Sequence, residues 1–128
     1  MKKTFISEQA KEFRTKYNLK SSPDLETRTY QKNLIVEEFK EVLEAEAQLW
    51  RKSPIPQYET LKELADLVYV CYQYAENMGW FLDEALDRVH KSNMSKLGED
   101  GKPIYREDGK VLKGPNYFKP DIKKILNH

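Results

Sequence analysis

From Tyr58 to Met78 the chain runs without glycine or proline, and wound as a helix it carries apolar side chains around most of its circumference. Leu61, Leu64, Ala65, Leu67, Val68, Cys71, Tyr72, Ala75 and Met78 are spread this way, a pattern that predicts a largely buried helix. Two acids interrupt it. Glu63 and Asp66 are three residues apart, so they stand roughly 60° apart on one side of the helix. A carboxylate in such surroundings is costly unless a counter-charge meets it. The segment constrains the fold twice over: other helices must pack around it, and its acids need a partner.

The rest of the chain supplies those helices. A first is expected from about Ile6 to Tyr17 with Ser7 as N-cap, followed by a break at Ser21-Ser22-Pro23. A second, started by Ser22 ahead of Pro23 or at Glu26, runs to about Trp50. The prolines of Ser53-Pro54-Ile55-Pro56 separate it from the third, which Gly79 stops. A fourth runs from about Leu82 to Ser95 and ends near Gly98. Beyond it, Pro103-Ile104-Tyr105-Arg106 and Lys110-Val111-Leu112-Lys113 flank an Asp-Gly turn and read as a small hairpin. A loop with aromatics and a short amphipathic turn through Leu126 close the sequence. The fold class is all-α: a four-helix bundle over 1–97, with a hairpin and tail over 98–128, in one domain.

Charge narrows the function. Twenty-two basic residues stand against 21 acidic ones, a net charge of +1, which argues against a general nucleic-acid binder. The single cysteine, Cys71, rules out an intramolecular disulfide framework and lies among apolar residues, as a buried small hydrophobe does. Met1 to Thr4 is basic without the apolar run of a signal peptide, and no stretch approaches the roughly 18 apolar residues of a membrane span. A cytoplasmic protein without a membrane partner is expected.

The second helix brings more acids. Glu37, Glu38 and Glu41 can all project toward one side, with Glu38 at the edge of an apolar stripe formed by Ile35, Phe39, Val42, Leu43, Leu49 and Trp50. Exposed glutamates are common on helices, and Glu44 and Glu46 read as such. Opposed to Glu63 and Asp66 on a packed neighbour, however, acidic pairs would raise one another's pKa if left empty. A divalent cation resolves the conflict, and magnesium, which prefers oxygen and keeps waters, suits it.

Glu-Glu-x-x-Glu, a gap of 21 residues and then Glu-x-x-Asp resembles the signature of MazG-like all-α nucleoside triphosphate pyrophosphohydrolases, over about Gln31 to Lys96. Phosphoribosyl-ATP pyrophosphohydrolase and the dimeric dUTPases are similar relatives. The resemblance implies Mg²⁺, with Mn²⁺ as a substitute, held by Glu38, Glu41, Glu63 and Asp66. Glu37 is then a further ligand or a base, and Glu37 or Glu38 orients or deprotonates the attacking water. It implies cleavage of a nucleoside triphosphate, a deoxynucleotide above all, between the α and β phosphates.

His90-Lys91-Ser92-Asn93-Met94-Ser95-Lys96 also looks like the segment that follows in these proteins, which implies phosphate contacts for Asn93 and Lys96 on one helix face. Tyr117 and Phe118 fit either stacking on a base or packing on the bundle or a second subunit. The tail resembles compact single-domain versions, including those of bacteriophages, rather than the two-domain bacterial MazG proteins. Long amphipathic helices on so short a chain predict a homodimer or homotetramer, which the resemblance also implies. Two rivals are a phosphoribosyl-ATP pyrophosphohydrolase and a non-enzymatic helical adaptor with merely structural acids.

Overall fold

A computed structural model describes residues 5–126, so the basic Met1–Thr4 start lies outside the described residues. The chain is all-α, with four main helices, the complement of a four-helix bundle, and a short fifth. These are α1 (Ile6–Lys16), α2 (Leu25–Glu46), α3 (Ile55–Met78), α4 (Leu82–Met94) and α5 (Lys123–Leu126). The chain forms two compact units, one ending at Trp80 and the other beginning at Phe81. Among the described residues no helix is long and apolar enough to cross a membrane.

In the first unit α2 and α3 pack along each other as sequential helices joined by the short connection 47–54. Their ends differ from the expected ones for local reasons. Phe5, not Ser7, is the N-cap of α1, and Ser7 is buried inside the first turn. Asp24, not Ser22, caps α2: its carboxylate accepts from the Thr27 N–H at 2.7 Å, while the Ser22 hydroxyl donates to Asp24 at 2.9 Å. The helix ends at Glu46 rather than Trp50, and Trp50 is 80% exposed, with no packing to extend the last turn. At α3 the prolines open the helix instead of excluding it. Pro54 is the N-cap and Pro56 lies in the first turn, where a missing N–H costs nothing. Gly79 ends α3 in the left-handed conformation at φ 73°, with Trp80 N–H donating to Ala75 C=O at 2.9 Å.

A buried polar knot ties α1 to the C-terminal half of α3. Arg14, only 5% exposed, donates to Gln73 Oε1 at 3.2 Å, to Asn77 Oδ1 at 3.4 Å, to Lys20 C=O at 2.9 Å and to Ser21 Oγ at 3.0 Å. Asn77 accepts from the Ser22 N–H and donates to the Ser22 C=O, at 3.0 and 2.8 Å. Phe13 meets Tyr69 edge-on beside this knot, with ring centroids 5.6 Å apart. Every arm of the guanidinium ends on a partner.

The N-terminal half of α3 corrects the expectation of a largely buried helix. Leu61, Leu64 and Val68 form an exposed stripe at helical spacing, Leu61 to 67%. On α2 it is Val36, Phe39 and Leu43 that are exposed, while Gln31, Leu34, Ile35, Glu38, Val42 and Ala45 line the more protected side. Glu38 therefore lies within the protected face rather than at its edge. Cys71 is half-buried, and burial pushes its thiol up, away from thiolate chemistry.

In the second unit the expected hairpin is reduced to a single antiparallel bridge between Tyr105 and Val111. The turn is closed by Gly109 N–H donating to Arg106 C=O at 2.9 Å. The tail is strapped along α4: the Ser92 hydroxyl donates to Phe118 C=O at 2.8 Å, and Arg88 donates to Asp121 C=O at 2.9 Å. Gly114 donates to Lys96 C=O at 2.8 Å, and a Cβ added there would lie 2.2 Å from the Leu97 carbonyl oxygen. Only glycine fits that approach.

Candidate metal centre

Heptad-like spacing on α2 and α3 turns four acids toward one another. Glu38 and Glu41 sit one turn apart on α2, Glu63 and Asp66 one turn apart on α3, and each offers an oxygen such that all four oxygens lie within 4.8 Å. Oxygens on opposite sides of an octahedral Mg²⁺ stand about 4 Å apart, twice a bond of roughly 2.1 Å. The cluster is thus within about an ångström of a coordination shell.

Hydrogen bonding makes the case for a cation more firmly than proximity. Glu38 Oε2 and Glu63 Oε2 are both buried and have no hydrogen-bond partner. Two orphaned carboxylate oxygens on facing helices carry a desolvation cost that protein groups do not offset. Desolvation first, and then the hydrogen bond and negative charge of Glu41, hold the Glu63 carboxyl above its ordinary value of 4.5. A donor set of carboxylates alone is the hard, oxygen-only kind that magnesium and manganese favour. The residues present fit such an ion.

Beside the cluster opens a cavity of about 770 Å³, with Glu41 and Glu63 in its wall and Glu44, Gln48, Tyr58 and Lys62 around them. That is the size of a small-molecule site. Lys62 also reaches the acids, its Nζ lying 2.7 Å from Asp66 Oδ2 and 3.5 Å from Glu63 Oε1. Its four-residue offset from Asp66 is the one mark of this contact in the sequence.

The other candidate residues fall elsewhere. Glu37 is exposed and outside the group of four. Asn93 and Lys96 belong to the second unit, Asn93 on the exposed side of α4. Lys96 lies past the end of α4 at Met94, so the two do not share a helix face as expected. A turn joins them instead, with the Lys96 N–H on the Asn93 C=O at 3.2 Å. His90 is exposed. Tyr117 has the Lys113 ammonium over its ring at 4.8 Å, and Phe118 is held in the strap by its N–H on Ser95 Oγ at 3.1 Å.

Comparison with known proteins gives the family. A family model described as phosphoribosyl-ATP pyrophosphohydrolase matches residues 2–93, from the start of the chain through α4 and across all four acids. No curated protein matches the chain.

Proposed function

The chain belongs to the phosphoribosyl-ATP pyrophosphohydrolase family, within the MazG-like all-α superfamily, and we propose that it hydrolyses a nucleoside triphosphate between the α and β phosphates. The products are a nucleoside monophosphate and pyrophosphate, and deoxynucleotides are the preferred class. The observation that carries this reading is the set of four carboxylates with two orphaned oxygens, opening onto a cavity of nucleotide size. An acid cluster that only balanced charge would have its oxygens paired.

Glu38, Glu41, Glu63 and Asp66 would hold Mg²⁺, for which Mn²⁺ can substitute. Bound there, the ion supplies charge neutralisation on the phosphates and a more acidic water. The chain's own groups do the rest. Carried on two packed helices, the acids would fix where the ion sits and thereby where the phosphates it neutralises come to rest, which confers orientation. Glu38, with its unpaired Oε2, or the neighbouring Glu37 accepts the proton of the attacking water. The resemblance assigns phosphate contacts to Asn93 and Lys96 and leaves Tyr117 a candidate for stacking on a base or for packing.

A second copy of the chain completes the reading. The exposed stripe of Leu61, Leu64 and Val68 on α3, with Phe39 and Leu43 on α2, supports a homodimer or a dimer of dimers. Light scattering that returned a monomer at micromolar concentration would remove this part. The cytoplasm is the proposed compartment, that of the host if the chain is phage-encoded.

One finding favours a second substrate: the matching family model is described by phosphoribosyl-ATP, whose scissile bond is the same α–β anhydride. A panel of common NTPs, dNTPs and phosphoribosyl-ATP, assayed for pyrophosphate with Mg²⁺ and with Mn²⁺, tests both. Release from a deoxynucleotide is expected; release from phosphoribosyl-ATP alone would replace the first substrate by the second. Silence across the panel would sink the activity.

A further inference from the structure

Lys62 faces two ways. Its ammonium rests on Asp66 and Glu63, the α3 half of the acid cluster, and the same side chain lines the cavity into which Glu41 and Glu63 look. The pair with Asp66 is not one that helix stability selects. A cation four residues ahead of an acid is the weaker order of such a pair on a helix, against the macrodipole. The lysine is also 67% exposed, so the pairing is loose and its four-carbon stem is free to turn.

Two charges then compete for one place. Asp66 Oδ2 faces the ammonium, and that carboxylate also belongs to the group of four. A divalent ion among the acids would take Asp66 Oδ2 for itself and halve the negative charge that attracts Lys62, from four carboxylates to a net −2. The nearest alternative for the ammonium is the cavity. The residues lining it besides Lys62 are Glu41, Glu44, Ala45, Gln48, Tyr58, Glu59 and Glu63, so it offers a phosphate no other cation among the described lining residues. An anionic ligand entering there meets one ammonium against four carboxylates, so it would enter together with its divalent ion, and Lys62 is the one lining side chain that attracts it.

We propose that Lys62 is a handover residue: it holds Asp66 and Glu63 in the absence of a divalent ion, and releases them when the ion binds. It then turns into the cavity to hold a phosphate oxygen of the nucleotide. The second half rests on the proposed nucleotide chemistry; the first does not.

Calorimetric titration of Mn²⁺ into the full-length protein without nucleotide reads the first half. Lys62→Met keeps the stem and removes the charge, and it should bind Mn²⁺ about threefold more tightly than the parent, the scale of one exposed ion pair. Lys62→Arg, which keeps the charge, should stay near the parent. Unchanged or weaker Mn²⁺ affinity in Lys62→Met overturns the competition. For the second half, Lys62→Met should raise KM for the nucleotide about tenfold with a smaller change in kcat, as loss of one charged hydrogen bond to bound substrate does. Should the parent release no pyrophosphate from any nucleotide, the activity fails, not the handover. Titration of a non-hydrolysable triphosphate into Mn²⁺-loaded protein then decides: weaker binding by Lys62→Met upholds the phosphate contact, and equal binding overturns it.

Discussion

Helix α3 buries polar side chains at both ends, and the two ends treat them in opposite ways. Around Arg14, Gln73 and Asn77 the polar groups end on one another, on the Ser21 hydroxyl or on backbone, in hydrogen bonds each within 3.5 Å. Around Glu38 and Glu63 two buried oxygens end on nothing. A satisfied buried network is what a fold uses to fix one packing, while an unsatisfied one is a cost without structural return. The contrast teaches that burial of charge is not by itself a sign of a site. Burial without a partner points to one only where acids of two helices converge, since Arg28 Nε and Gln31 Oε1 are equally unpartnered outside the group of four.

Four experiments can break or sharpen that contrast. The largest effect is expected from the acid end: Glu63→Gln or Glu41→Gln should lower pyrophosphate release by at least about a hundredfold, since each removes a charged ligand. The same variants should unfold at no lower temperature than the parent in metal-free buffer, because like charges have been relieved. Arg14→Met should behave in the reverse way. Leaving Gln73 Oε1 without its donor, and Asn77 Oδ1 with that of Ser22 alone, should lower unfolding free energy by about 2–4 kcal/mol in urea titrations, with kcat per folded molecule kept. If Arg14→Met abolished activity without loss of stability, the two ends would not be separable in this way.

The third is a pH titration. The Glu63 carboxyl is held above 4.5, so metal-free protein gains stability at low pH and loses it as pH rises through that raised value. Metal binding needs the ionised form and runs the other way. Mn²⁺ affinity should fall about tenfold per pH unit below the raised value of Glu63, and level off above it. A flat profile would detach Glu63 from the cation. The smallest effect belongs to a polar group outside both ends. Asp24, lowered to about 2 by hydrogen bonds from Thr27 and Ser22, contributes stability that is present above roughly pH 4 and lost as pH falls through 2. Asp24→Ala should lower the melting temperature at neutral pH by a few degrees, on the order of 5 °C, and flatten that acid limb.

How much of this could be read in advance follows the range of each interaction. Helical periodicity and the Gly79 stop are local, and they located four helices. The ends of α2 were harder, because Ser22 and Asp24 are both good caps and only the chain's path selects between them. The two apolar stripes of α2 defeated the assignment of faces: Phe39 and Leu43 look like core, yet α3 packs on the side that carries Gln31 and Glu38. Glu63 and Asp66 stood out because their helix is otherwise apolar. Glu38 and Glu41 needed the resemblance to rise above surface charge. Arg14 gave no sign, since Gln73 and Asn77 lie 59 and 63 residues away.

The short connection 47–54 has a kinetic consequence. It lets α2 and α3 meet after closing only a small loop, whereas the Arg14 knot waits for segments some sixty residues apart to find each other. The acids are therefore expected to come together early in refolding, ahead of the contacts that lock α1 in place. A divalent ion present at that moment would find its ligands on a nascent hairpin, and would act on the order of folding as well as on the finished protein.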